Sequence, residues 1–151
     1  MSGVFLLYKC DEDMKEYYTN KLHPATLGSA GIDLRANESC VIKSFERKHV
    51  WAGISMALPH NEYFIEIRGR SSLAHKYGIF GIQALIDSDY RGPLGILLWN
   101  STTTPFEIDK GERIGQIVVM KPATQIFKFV EAEELPKTER GTGGFGSTGK
   151  F

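Results

Sequence analysis

The sequence predicts an all-β fold carried in one domain, and three observations predict it. Apolar residues recur at every second position over much of the chain. Turn-forming clusters separate these runs at short, regular intervals. A length of 151 residues suits one well-buried core. Short strands at this spacing belong to a β-sandwich, a jelly roll or a barrel.

The elements follow in chain order. Ala30-Gly31-Ile32-Asp33-Leu34 reads as an apolar strand carrying one carboxylate, so Asp33 faces outward or is paired. Val50, Ala52, Ile54, Met56 and Leu58 alternate with Trp51, Gly53, Ser55 and Ala57 as one strand pattern. Tyr63, Ile65 and Ile67 alternate with Phe64, Glu66 and Arg68. One helical candidate, Ser71 to Lys76, interrupts the strands, with a serine placed to cap it. Residues 83–92 read as a strand running into a polar turn. Further runs rich in Ile, Val and aromatics cover 94–99, 113–120 and 125–130. Turn signals at Leu58-Pro59-His60-Asn61, Arg91-Gly92-Pro93, Ile108-Asp109-Lys110-Gly111 and Met120-Lys121-Pro122 separate them. There is no internal repeat and no interdomain linker.

Bulk composition narrows the function. Lys+Arg and Asp+Glu balance at 18 each, so no long-range field draws this chain to nucleic acid or an anionic membrane. Residues 1–8 hold too short an apolar run for a signal peptide or a spanning helix. Cys10 and Cys40 are expected as reduced thiols. The chain is expected to be soluble and intracellular, cytoplasmic or nuclear.

The end of the chain differs in kind. Arg140 to Phe151 contains five glycines in twelve residues, which cannot build a core and are costly to order. Such a segment is either a loose tail or a closure over a ligand. Glycines let backbone N–H groups converge on an anion. Arg140 offers a bidentate fork, Ser147 and Thr148 offer hydroxyls, and Phe145 offers a flat face for a planar base.

Other chemistry-bearing residues cluster in the middle. Arg70-Ser71-Ser72 places a guanidinium and hydroxyls at a helix start, which suits an anion or simply a capped surface helix. Asp87 and Asp89 fall on one face of an extended chain. They serve as turn formers, or one serves as general base toward a water with Tyr90 packing on a sugar. His23, His49, His60 and His75 show no ligand spacing, and no His/Cys cluster suggests zinc. Neither a P-loop nor a Gly-x-Ser-x-Gly elbow occurs.

Taken in order, five segments resemble the five motifs of the trimeric dUTPase family. They are Ala30 to Leu34, Gly69-Arg70-Ser71-Ser72-Leu73-Ala74, Leu85 to Gly92, Gly111-Glu112-Arg113-Ile114-Gly115-Gln116, and Arg140 to Gly149. The resemblance implies a jelly-roll-like core over residues 1–139 with one short helix, and a glycine-rich lid over 140–151 of the same domain. It also implies a homotrimer with three active sites shared between subunits, and hydrolysis of dUTP to dUMP and pyrophosphate. That reaction limits uracil incorporation into DNA and supplies dUMP for thymidylate synthesis.

Residue by residue, the resemblance makes Asp87 the catalytic base for a water attacking the α-phosphorus. Tyr90 packs beneath the deoxyribose. Hairpin backbone around Gly81 and Leu85, Ile86 and Asp87 reads uracil, and Gly95 lies in the same substrate-binding set. Arg70, Ser71, Ser72 and Gln116 hold phosphates. Arg140, Gly146, Ser147 and Thr148 take the γ-phosphate end, and Phe145 stacks on the base. Asp33 orients Arg70 or a metal-bound water. Mg²⁺ is implied as cofactor, held mainly by phosphate oxygens and waters with no direct protein ligand.

Gly69, Ser72, Ala84 and Gly115 depart from common family residues, touching fit more than chemistry. The related dCTP deaminases need a glutamate where this chain has Leu97. A nucleotide-responsive binding protein of the same fold is the remaining alternative.

Overall fold

The computed structural model describes residues 5–142. Eleven strands form among them: β1 (Leu7–Cys10), β2 (Ile32–Arg35), β3 (Cys40–Ile42), β4 (Arg47–Trp51), β5 (Ile54–Ala57), β6 (Phe64–Arg68), β7 (Ile79–Ile82), β8 (Ala84–Ile86), β9 (Gly95–Asn100), β10 (Phe106–Ile108) and β11 (Arg113–Met120). They pair as a four-stranded sheet β2-β11-β6-β8, a three-stranded sheet β4-β9-β7, and the two-stranded units β1-β5 and β3-β10. Every pairing is antiparallel. The all-β, jelly-roll-like expectation holds.

Period-two patterning explains which faces meet. Leu34, Ile65, Ile67 and Ile117 from the larger sheet, and Val50, Ile79, Ile96 and Leu98 from the smaller, are buried in one core. Each such isoleucine or leucine contributes about 1.5–3 kcal/mol through removal of its side chain from water. The opposite face of the larger sheet carries Asp33, Gln116 and Arg68 side by side, because β11 pairs Gln116 with both.

Parts of the expected layout need correction. The run from Val50 to Leu58 is two strands. Gly53 breaks it with φ +62, a left-handed turn in which a side chain is strained. The chain thereby passes from β4, paired with β9, to β5, paired with β1. Residues 125–130 form no strand: a single 3-10 turn, Thr124–Ile126, precedes irregular chain. Phe127, Phe129 and Val130 stay mostly exposed, since no strand among the described residues pairs with them.

The helix α2 (Ser71–Tyr77) forms where expected, but Arg70 occupies the N-cap position and no side chain caps it. Its end is defined by Gly78, left-handed at φ 65, whose N–H bonds back to the Ala74 and Leu73 carbonyls. A further short helix, α1 (Lys15–Tyr18), follows the 3-10 turn Glu12–Met14, where the strand pattern gives no sign of one. Burial of Met14 and Tyr18 at i, i+4 spacing holds this segment down. Finally, β7 and β8 do not form a hairpin. They are separated by Gln83 alone yet pair with different sheets, β7 with β9 and β8 with β6.

Both cysteines are free thiols, and burial pushes the Cys40 thiol up. Among the described residues, no helix is long and apolar enough to cross a membrane.

Candidate active site

A cleft of about 600 Å³ opens on the polar face of the larger sheet. Its floor is the row Asp33, Gln116 and Arg68 across β2, β11 and β6, and its walls add Arg70, Ser71, Ser72, Arg113 and Gly31. Five of the expected residues, Asp33, Arg70, Ser71, Ser72 and Gln116, therefore come together although they span three sequence segments.

The cleft is held by its own polar contacts. Asp33 lies 3.8 Å from the Arg70 Nε and 3.4 Å from the Arg113 Nη1, one carboxylate facing two guanidiniums. Arg70 also donates to the Arg113 carbonyl at 3.2 Å. The Gln116 amide donates to the Gly69 carbonyl at 3.3 Å. Gly31 makes room for it, because a Cβ there would collide with the Gln116 Oε1. Three arginines face one lining carboxylate, so the cleft favours an anion.

Asp87 and Leu85 lie elsewhere. They line a separate hollow with Tyr63, Phe64, Ser88 and Thr124. The β6–β8 register explains the separation: Ile86 faces Ile65, so Asp87 stands beside Phe64 at the far end of β6 from Arg70. Six residues of extended chain separate Phe64 from Arg70, roughly 20 Å. Asp87 is exposed, and its carbonyl accepts the Tyr90 N–H at 3.1 Å to close the turn. The Tyr90 hydroxyl donates to the Pro93 carbonyl at 3.2 Å, and its ring folds over Gly92. Leu97 sits on β9 between His49 and Ile82, and offers no proton-carrying group.

The remaining expected residues divide. Ile86 is half-buried against the core, and Gly95 is buried beneath His49 and Trp51 of β4. Gly81 lies back to back with Gly69. Arg140 is exposed near the end of the described chain. Phe145, Gly146, Ser147 and Thr148 lie outside the described residues. Sequence reading passes over Arg68 and gives Arg113 no task. Their signal is present only as outward positions beside Gln116 and Asp33, which requires the strand register.

Among the described residues no group of three His, Cys, Asp or Glu gathers to cage a metal ion. The cleft instead presents donors suited to phosphate oxygens, with Asp33 as the lining carboxylate.

A family model described as dUTPase matches residues 18–149. A deoxyuridine 5'-triphosphate nucleotidohydrolase of Fusobacterium nucleatum is 47% identical over 129 residues, covering 83% of this chain and 86% of the relative. The one from Nautilia profundicola is 45% identical over 141 residues, covering 91% and 97%. Among solved structures, the Staphylococcus bacteriophage 80alpha dUTPase with dUPNHPP superposes with a TM-score of 0.79 at 24% identity, covering 96% of this chain and 98% of that one. A mutant dUTPase from phage phi11 of S. aureus, described with a structural Mg(II) ion, gives 0.67 at 17% identity, covering 89% and 99%.

Proposed function

The chain belongs to the dUTPase family, and from that premise we propose that it hydrolyses dUTP to dUMP and pyrophosphate at sites completed by neighbouring subunits of a homotrimer. The observation that carries the reading is the division of labour within one subunit: an arginine-rich cleft at one end of β6 and the Asp87 carboxylate at the other. A base must stand within about 3 Å of the water it deprotonates. A phosphate gripped by Arg70 therefore meets the Asp87 of another copy.

In this reading Asp87 takes a proton from water as the water attacks the α-phosphorus, and pyrophosphate leaves. Arg70, Ser71, Ser72 and Gln116 hold the phosphate oxygens and stabilise the charge that grows on the leaving group. Asp33 keeps Arg70 and Arg113 oriented. Tyr90, fixed over Gly92 by its bond to Pro93, presents its ring to the deoxyribose. Residues 140–151, with Arg140, Phe145, Gly146, Ser147 and Thr148, close over the nucleotide as a lid. Mg²⁺ held by phosphate oxygens and waters would supply further neutralisation of the triphosphate. Removing dUTP in this way keeps uracil out of DNA and provides dUMP for thymidylate synthesis.

Exposed apolar surface supports the trimer. Trp51, Phe80, Ile82 and Trp99 share the outer face of β4-β9-β7, and Phe127, Phe129 and Val130 project from the chain beyond β11. Contiguous patches of this kind mark protein interfaces.

The test is turnover of dUTP with Mg²⁺, scored by dUMP and pyrophosphate, together with the mass of the assembly in solution. Tight dUTP binding without hydrolysis would mean a sensor, and ammonia from dCTP would mean a deaminase.

A further inference from the structure

Glu66 is a carboxylate on the polar face of β6, yet it is only 7% exposed. Its Oε2 accepts from both the Nε and Nη2 of Arg68 at 2.5 Å. Its Oε1 accepts from the side-chain amide of Gln83. Arg68 itself lines the phosphate-suited cleft directly opposite Gln116, and its side chain is half exposed.

We propose that Arg68 is an additional phosphate-binding residue of this cleft, held in its working position by Glu66; the proposal rests on the dUTP reading above. A guanidinium carries five N–H donors in a rigid fork. Glu66 engages the edge formed by Nε and Nη2 and leaves Nη1 unused by it, on a side chain that lines the cleft. A carboxylate out of water is costly unless its lone pairs are satisfied. Arg68 and Gln83 satisfy them, so the arrangement fixes the arginine before any ligand arrives. An arginine ordered in advance loses less entropy when it takes up an anion. Gln83 adds a second consequence. It is the residue at which the chain leaves β7 for β8, so the same carboxylate ties Arg68 to the start of the strand that leads into Asp87.

The experiment compares ligands with and without phosphates. KM for dUTP and inhibition constants for pyrophosphate and deoxyuridine are measured for the full chain and for Arg68→Ala, Arg68→Lys and Glu66→Gln, with melting curves alongside. For Arg68→Ala, KM and the pyrophosphate constant should rise together about tenfold, the loss of one charge-assisted hydrogen bond. The deoxyuridine constant should stay within about twofold, since that ligand offers no phosphate. Arg68→Lys should recover part of the loss, and Glu66→Gln should fall between wild type and Arg68→Ala. If Arg68→Ala does not fold, Arg68→Lys and Glu66→Gln give the same comparison with the cation or the buried shape retained. Equal weakening of deoxyuridine and pyrophosphate, or no weakening of pyrophosphate, overturns the proposal. Failure of the unaltered chain to hydrolyse dUTP would overturn the reading of function instead.

Discussion

Gly69 and Gly81 meet backbone to backbone: a Cβ placed on Gly81 would stand 2.5 Å from the Gly69 Cα and 2.6 Å from the Ile96 Cδ1. The contact joins the turn that carries Arg70 to β7. Gly81→Ala should therefore push the Arg70 turn away and cost about 1–3 kcal/mol through overpacking. Gly115→Ala is the contrast, since its nearest neighbours are a flexible Ile96 methyl at 3.0 Å and the Arg68 carbonyl at 3.1 Å. That substitution should cost less than about 1 kcal/mol. Thermal melts of the two variants check the pair, and equal melting temperatures would contradict the close approach.

Asp87→Asn should separate binding from chemistry. The substitution keeps the shape of the turn, in which the Asp87 carbonyl accepts the Tyr90 N–H, and leaves the arginine cleft intact. With the proposed base removed, kcat should fall by roughly 10²–10⁴ while dUTP affinity changes little. Steady-state kinetics and calorimetric binding of dUTP decide it. Turnover at the unaltered rate would remove Asp87 from the mechanism.

Tyr18 gives the fold an alkaline limit. The buried hydroxyl donates to the Ala52 carbonyl at 3.0 Å and accepts the Arg35 N–H at 3.0 Å. Burial pushes its pKa up to about 12 from an ordinary 10.0, so the folded chain holds this proton more tightly than the unfolded chain. The associated stability is complete below pH 10 and is lost as pH rises from 10 toward 12. A shift of that size corresponds to about 2–3 kcal/mol. Tyr18→Phe should remove this alkaline slope and cost about 1–3 kcal/mol at neutral pH, because the Arg35 N–H loses its partner. Urea titrations at pH 8 and pH 11 read both effects.

The limits of sequence reading follow from these same residues. β6 was legible because Ile65 and Ile67 bury one face at strand period, and β11 as a run rich in Ile and Val. Phe127 to Val130 are also rich in strand-forming residues and form no strand, since β-propensity reports a surface suited to pairing and not the presence of a partner. The cleft was legible as to Arg70, Ser71, Ser72 and Gln116 because their segments resemble family motifs. Arg68 was not, because an arginine alternating with isoleucine reads as a solvated face. Its setting comes from Gln116 across one ladder and from Glu66, whose burial follows only from the packed sheet. The break at Gly53 was hidden for a related reason: alternation continues unbroken across a corner where the chain changes sheets.

The distance between Asp87 and Arg70 makes its own prediction. Within one subunit they occupy opposite ends of β6, so an active site should draw each from a different chain. Asp87→Asn and Arg70→Ala subunits should each be nearly inactive alone. Unfolded together and refolded as the mixed trimers proposed above, they should regain activity, because some sites receive Asp87 from an Arg70→Ala chain and Arg70 from an Asp87→Asn chain. Random mixing in equal amounts gives such a pairing at about a quarter of sites in a closed symmetric ring. The recovered kcat, per site, should approach that fraction of the unaltered enzyme and should vanish when either variant is diluted to a trace. Sites built within a single chain would recover nothing, because every chain in the mixture lacks one of the two groups. The refolded mixture, assayed beside each variant refolded alone, therefore separates a shared site from a private one.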